Sequence, residues 1–321
     1  KILCIWLISL FGHFCHAQTI FYQDVIYGGV TGAGFSTGSG TGSGIIDVNI
    51  EPGSTIKAAW LLCYRKCEEF HPSNIEFNGA MIGFDVTNQI GMTTQNPNNT
   101  AIPAYSTHVI SVTDLVSSTV TSYPVSIHPQ NPMPSNPSCT YGSVYLVVVY
   151  EKPSLPIVSI SIMVNDQDNL AFVSYAAGAL NPINNSFPVG FALHTDILNP
   201  PTPPVNDGSY VYLNSSLIGL IGGPDQVNSS WPLSGVKGHF YYQNNQLFAL
   251  DDDTANITMF NSDGLSDIAS YVMNDDTIVN FSLQYQGANI YTNFYISFHL
   301  AYTTPCDTFT ATVTPDTTTC I

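Results

Sequence analysis

Apolar and polar residues alternate along most of this chain in short runs, and turn-forming Gly, Pro, Asn, Asp and Ser break the runs apart. Residues 45–50, 56–64, 74–77, 107–112, 124–128 and 143–150 carry the pattern in the first half. Residues 170–175, 188–194, 209–213, 238–242, 277–284 and 293–302 carry it in the second. A period of two puts successive side chains on opposite faces of a strand, so each run predicts a strand with one buried face. Short strands at this spacing predict a sandwich or a barrel. Residues 112–116 and 265–269 are the exceptions, short helical turns in which Ser or Asp can cap the following amides. The tract at 27–44 is Gly/Ser/Thr-rich and predicts a flexible loop or linker.

The two sets of runs echo each other in order. Asn74-Ile75-Glu76-Phe77-Asn78-Gly79 and its continuation to Gly83 are echoed by Tyr210-Val211-Tyr212-Leu213-Asn214-Ser215 and its continuation to Gly219. Each is a strand, an Asn-led turn and a strand that resumes with Ile-Gly. Residues 112–116 are echoed by 265–269, and 145–150 by 295–300. The expected fold is therefore all-β, with two jelly-roll-like β-sandwich lobes related by a degenerate internal duplication. The expected divisions are a leader at 1–17, the Gly/Ser/Thr-rich segment at 18–44, lobe 1 at 45–165, lobe 2 at 166–306 and, at 307–321, the start of a following repeat. One continuous double-layer sandwich would use nearly the same strands.

Composition narrows the class of function. Six Lys and Arg face 23 Asp and Glu, for a formal charge of −17. That sign argues against nucleic acid and anionic membrane surfaces, which attract basic patches. With 44% hydrophobic and only 9% charged residues, the chain has the means to bury a core and is unlike a disordered one. The N-terminus reads as a secretory leader: Lys1, then a mostly apolar run at 2–14, then Cys15-His16-Ala17 as the cleavage site. The apolar run is too short to span a bilayer, and no later stretch is long enough, so no membrane insertion is expected after cleavage. Removing Cys4 and Cys15 with the leader leaves Cys63, Cys67, Cys139, Cys306 and Cys320 of the seven cysteines. In an exported chain these point to disulfides, with Cys67 and Cys139 the favoured pair and Cys63 a core residue.

The strongest candidate chemistry is acidic. Asp251-Asp252-Asp253 is followed by Asn256, Asn261, Asp263 and Asp267. Calcium takes six to eight oxygen ligands, and on a strand Asp251 and Asp253 share a face. Asp251, Asp253 and Asp263 are the candidate calcium ligands. The bland reading of the same residues is a solvated turn whose Asp side chains cap nearby amides. Residues 165–169 form a second, weaker acidic cluster. Gly34-Phe35-Ser36-Thr37-Gly38 matches G-x-S-x-G, but its flanks lack the strand and helix a nucleophile elbow requires. The histidines are scattered without ligand spacing. No carboxylate pair stands out as a glycosidase site.

Several of these segments together resemble a β-rich domain near the N-termini of large, type IX-secreted, gliding-motility-associated surface proteins and adhesins. They are Ile56-Lys57-Ala58-Ala59-Trp60-Leu61, Ile75-Glu76-Phe77-Asn78-Gly79, Ser111-Val112-Thr113-Asp114-Leu115-Val116 and 145–154, with Leu250-Asp251-Asp252-Asp253-Thr254, 262–268 and the tail 311–320. The resemblance implies secretion to the cell surface, adhesion to glycans or proteins, and following repeat domains of the same chain. It carries no catalytic residues. The expected function is thus a non-catalytic module of an adhesin-like surface protein that binds or spaces, with calcium as its one candidate cofactor. A passive spacer is one alternative, and a secreted hydrolase acting on glycans is another.

Overall fold

Alternating Val, Ile, Tyr and Phe, punctuated by turn residues, fold into nineteen strands among the described residues, with no α-helix. The structure is a computed structural model. It describes residues 18–36, 41–67, 73–94, 104–128, 143–166, 172–187, 189–196, 209–221, 239–243, 246–251, 266–285 and 295–303. The strands of the first half are β1 (Gln18–Ser36), β2 (Gly42–Asp47), β3 (Thr55–Cys67), β4 (Ser73–Phe77), β5 (Ala80–Phe84), β6 (Gln89–Thr94), β7 (Ala104–Ser111), β8 (Ser122–Ile127) and β9 (Ser143–Glu151). The second half begins with β10 (Ile157–Asp166), which pairs with the last strand, Tyr295–Thr303, so the sheets divide at 152–156 and not at 165/166 as expected. β11 (Phe172–Gly178), β12 (Val189–Asp196), β13 (Ser209–Leu213) and β14 (Ser216–Ile221) follow. The second half continues through β15 (His239–Gln243), β16 (Gln246–Asp251), β17 (Ser266–Asp267), β18 (Ile278–Tyr285) and β19 (Tyr295–Thr303).

In the first half, β1-β9-β3-β7-β6 form one antiparallel sheet and β2-β8-β4-β5 the other. In the second, β10-β19-β12-β16-β15 form one, with β17 also on β12, and β11-β18-β13-β14 the other. Each half thus has the strand order of a jelly roll, two sheets face to face. The lobe 1 core lies between its sheets and includes Ile46, Leu61, Phe77, Phe84, Tyr123, Val125, Leu146 and Val148. Phe77 stacks on Tyr123 at a centroid distance of 5.5 Å. In lobe 2, Phe191 of β12 meets Phe281 of β18 at 5.6 Å, and both are fully buried.

The expected helical turn at 112–116 appears as a single 3₁₀ turn, Thr113–Leu115, but at 265–269 Ser266–Asp267 is strand β17 and the 3₁₀ turn comes later, at Ala269–Tyr271. Their caps differ from expectation. Val112 and Ile268 hold the cap positions, and neither makes a side-chain cap bond. Instead the Val112 N–H donates to the Ala59 carbonyl of β3, and the Ile268 N–H to the Val189 carbonyl of β12. The turns are tied to the sheet rather than to their own side chains.

The Gly/Ser/Thr tract also differs from the linker its composition predicts. Its residues 27–36 belong to β1, a 19-residue strand, and its residues 42–44 open β2. Residues 18–27 pair with β10 and residues 28–36 pair with β9, on opposite edges. The connection 152–156 carries the chain from one edge of β1 to the other, and the Lys152 N–H donates to the Tyr27 carbonyl at the crossing. Glycine is required there by close approach. A Cβ on Gly28 would strike the Tyr150 carbonyl oxygen, and one on Gly32 would strike the Tyr145 ring. Gly28, Gly29 and Gly32 are glycines because Tyr150 and Tyr145 lie against β1 there.

β1 joins the two large sheets into one of 11 strands that folds on itself. A third core fills the fold. Leu62, Tyr145, Val147 and Val149 from lobe 1 pack with Val158, Ile160, Ile162 and Val164 of β10 and with Ile26 and Val30 of β1. All are at most 5% exposed. Each such aliphatic side chain is worth about 1.5–3 kcal/mol when fully buried, so the lobes are joined by a core and not by a linker.

Candidate functional site

Two irregularities in pairing meet at the margin of this third core. In β3, Ile56 pairs with Tyr150 and Ala58 with Val149, which leaves Lys57 as an extra residue in a bulge. In β1, Ile20 pairs with Met163 and Tyr22 with Ile162, which leaves Phe21 as the extra residue. A bulge adds twist and re-aims its side chain. Here the two bulges bring together residues from β1, β3 and the end of β9.

Lys57 Nζ lies 3.1 Å from Asp24 Oδ2 and 2.6 Å from Glu151 Oε1. The Tyr22 hydroxyl donates to Asp24 Oδ2 at 3.1 Å, and the Val25 N–H to Asp24 Oδ1 at 2.8 Å. Beside them, Trp60 takes the Tyr22 ring at 4.8 Å and the edge of the Phe21 ring at 5.6 Å. At the crossing itself, Lys152 Nζ binds Glu51 Oε1 at 2.9 Å and the Pro52 carbonyl at 2.8 Å. The chain has only six Lys and Arg. Two of them secure this one junction.

The electrostatics follow from the contacts. Burial alone would raise the Asp24 carboxyl, but the bonds from Lys57, Val25 and Tyr22 outweigh it and hold the group below the usual range. The hydrogen bond to Glu151 raises the Lys57 ammonium against the opposing effect of burial. Burial, then the neighbouring Asp24 charge, pushes the Tyr22 hydroxyl far up. The result is an ionised Lys57–Asp24 pair at neutral pH, with Asp24 poorly suited to give up a proton as a general acid would. Its chemical competence is that of a clamp: it fixes the first half of β1 to lobe 1 while the backbone of the same segment is paired to lobe 2.

The residues singled out in the sequence lie elsewhere. Asp251 is the last residue of β16 and pairs with His239 of β15. Asp253 and Asp263 lie outside the described residues, as does Cys139. Among the described residues, no group of three His, Cys, Asp or Glu is placed to hold a metal. Cys67 ends β3 opposite Ala104, and Cys63 is core as expected, 1% exposed. Ser36 pairs with Ser143 in β1, so Gly34-Phe35-Ser36 lies on a strand rather than at a strand-to-helix elbow.

His108 is fully buried, and its Nδ1 faces two oxygens, the Asp85 carbonyl at 2.9 Å and Asn88 Oδ1 at 3.0 Å. Nδ1 therefore carries a proton, and the ring pins the 3₁₀ turn Val86–Asn88 to β7. His128 sits 3.5 Å from Glu76 on the surface. The triad itself escaped the sequence reading. Its one visible signal was a lysine in a chain almost without them, set inside an apolar run. No known protein family matches this chain, and no curated protein matches it.

Proposed function

We propose that this chain is a non-catalytic, exported module of an adhesin-like cell-surface protein, which binds or spaces outside the cell. The observation that supports the reading best is β1. One strand completes the sheet of both lobes, and the Asp24–Lys57–Glu151 clamp and a continuous apolar core close the joint. A joint of that kind makes a stiff two-lobe body, which suits display and spacing. The matching element order of the two lobes fits descent from one duplicated unit. The resemblance of residues 45–320 to the β-rich domains of type IX-secreted, gliding-motility-associated surface proteins gives the setting, with repeats following on the same chain. Glycans or surface proteins are the proposed partners, and calcium at Asp251, Asp253 and Asp263 the proposed stabiliser of the β15–β16 edge.

The test is surface labelling of cells that make the full-length protein. Antibodies against residues 18–303 should stain intact cells, and staining confined to permeabilised cells would overturn the reading. Calcium has its own test, a thermal melt in EDTA and then in millimolar calcium. A site filled at 100 times its Kd adds about 2.7 kcal/mol, and the gain should vanish in the Asp251→Ala/Asp253→Ala double variant. No gain would reduce the Asp run to a capped turn.

A further inference from the structure

One end of lobe 2 is apolar where the matching end of lobe 1 is not. The loop 179–187, between β11 and β12, lies against the turn 272–277 that precedes β18. The Ala179 N–H donates to the Thr277 carbonyl, the Ile183 N–H to the Asp276 carbonyl and the Asp275 N–H to the Ile183 carbonyl. The Asn185 side-chain amide donates to the Val272 carbonyl, and its backbone N–H to Asn274 Oδ1. These two laced segments, with Ile278 just beyond, present Leu180, Phe187, Met273 and Ile278 to solvent at 41%, 40%, 69% and 49% exposure. In lobe 1 the matching segments are 48–54 and 116–121, tied by the Val48 N–H to the Thr121 carbonyl. Among the described residues there, Val120 is the one large apolar side chain that is exposed. Apolar side chains gathered on a pinned surface mark an interaction site, and the pinning removes much of the ordering cost of binding.

The course of the chain identifies the occupant. Tyr302 pairs with Val189, two residues past Phe187, and Thr303 pairs with Val158. β19 therefore ends at this same end of the lobe. Residues 304–321 lie outside the described residues, and their sequence has a matching character. Phe309, Ala311 and Val313 fall on one face of an alternating strand, and Thr308, Thr310, Thr312 and Thr314 on the other. Phe309 lies six positions past Thr303, a reach of about 20 Å in an extended chain. The charge of −17 disfavours a second copy of the chain and an anionic membrane at this patch, and it does not oppose a segment already tethered beside it.

We propose that the Leu180–Phe187–Met273–Ile278 end of lobe 2 is the seat of the segment that follows β19. The Phe309, Ala311 and Val313 face docks there and holds the segment against lobe 2. This goes beyond the display reading and stands whether or not the module binds a ligand.

Hydrogen exchange on the full chain tests it. Amides 309–314 should exchange about tenfold or more slowly relative to unstructured peptide. The Met273→Ser/Ile278→Thr variant should speed them while protection of β10 and β19 is unchanged. Phe309→Ser, which lies outside both lobes, should give the same loss and also raise exchange in the loop 179–187. Unstructured rates for 309–314 in the native chain, or protection that survives both variants, would overturn the proposal. So would protection that appears only at concentrations where light scattering finds a dimer, because the occupant would then be a second copy.

Discussion

The hairpin β4–β5 in lobe 1 and the hairpin β13–β14 in lobe 2 occupy the same place in their sheets and turn on the same residue. Asn78 and Asn214 both have positive φ, 48° and 45°, and so do the residues after them, Gly79 at 80° and Ser215 at 70°. The Asn78 side-chain amide donates to the Leu115 carbonyl at the end of its 3₁₀ turn, and that of Asn214 to the Tyr271 carbonyl at the end of its own. The Asn78 N–H donates to the Pro124 carbonyl of β8, and the Asn214 N–H to the Asn280 carbonyl of β18. Then the two diverge. Asn280 has an N–H and returns a bond to Asn214 Oδ1 at 3.0 Å, whereas Pro124 has none to give. Lobe 1 holds the better turn residue and lobe 2 the better-tied asparagine. The wiring that the fold demands recurs, and each lobe tunes a different part of it.

The largest expected effect removes the joint on which the two lobes meet. Gly28→Val sets a branched side chain against the Tyr150 backbone, which cannot move without opening β1 from β9. Overpacking of this kind costs about 3 kcal/mol or more. Urea denaturation should show a lower midpoint and a smaller m value, because the lobes would no longer unfold as one unit. A single transition with an unchanged midpoint would mean that β1 does not join them.

The asparagines come next. Asn78→Ala gives up one side-chain bond and the asparagine's tolerance of positive φ, at about 1 kcal/mol. Asn214→Ala gives up two bonds, one of them accepted from a backbone N–H, at about 2 kcal/mol. Asn214→Asp keeps an acceptor for the Asn280 N–H and loses only the donation to Tyr271, so it should fall between. Equal costs for the two alanine variants would erase the Pro124–Asn280 contrast. The turn partners should show the opposite bias. Ser215→Gly relieves a non-glycine residue at positive φ and should raise stability by about 0.5–1 kcal/mol, and Gly79→Ser should lower it by a similar amount.

Much of this was legible in the sequence because it is local. Alternation marked the strands, and the Asn-led echo at 74–83 and 210–219 found both hairpins. β1 was illegible for the converse reason. Glycine reads as a linker when only its neighbours are seen, and here its partners Tyr145 and Tyr150 lie more than a hundred positions along the chain. Lys57 was hidden similarly, because a bulge is a property of a pair of strands and not of either one. The acidic cluster was conspicuous in composition, yet Asp253 and Asp263 lie outside the described residues. The clamp that the structure does describe uses Asp24 and Glu151, which no motif flags.

The smallest effect tests that clamp against the core behind it. Lys57 and its two partners are about one-third exposed or more, at 32%, 33% and 42%, so solvent screening leaves the triad about 0.5 kcal/mol. The Asp24 carboxyl is lowered from 3.8 in the folded chain, so its contribution is present above that value and is lost as pH falls through the folded value. The Lys57 ammonium is raised from 10.5, so its contribution is complete below that pH and is lost as pH climbs past it. The stability difference between native chain and Lys57→Met should therefore be flat from about pH 5 to 9 and shrink below about pH 4. It should also shrink in 1 M salt, where charges are screened within about 3 Å. A difference that persists unchanged at pH 3 and in salt would mean that Lys57 serves through its aliphatic stem against Trp60 and the β1 aromatics, and that the apolar core alone holds β1 across the joint.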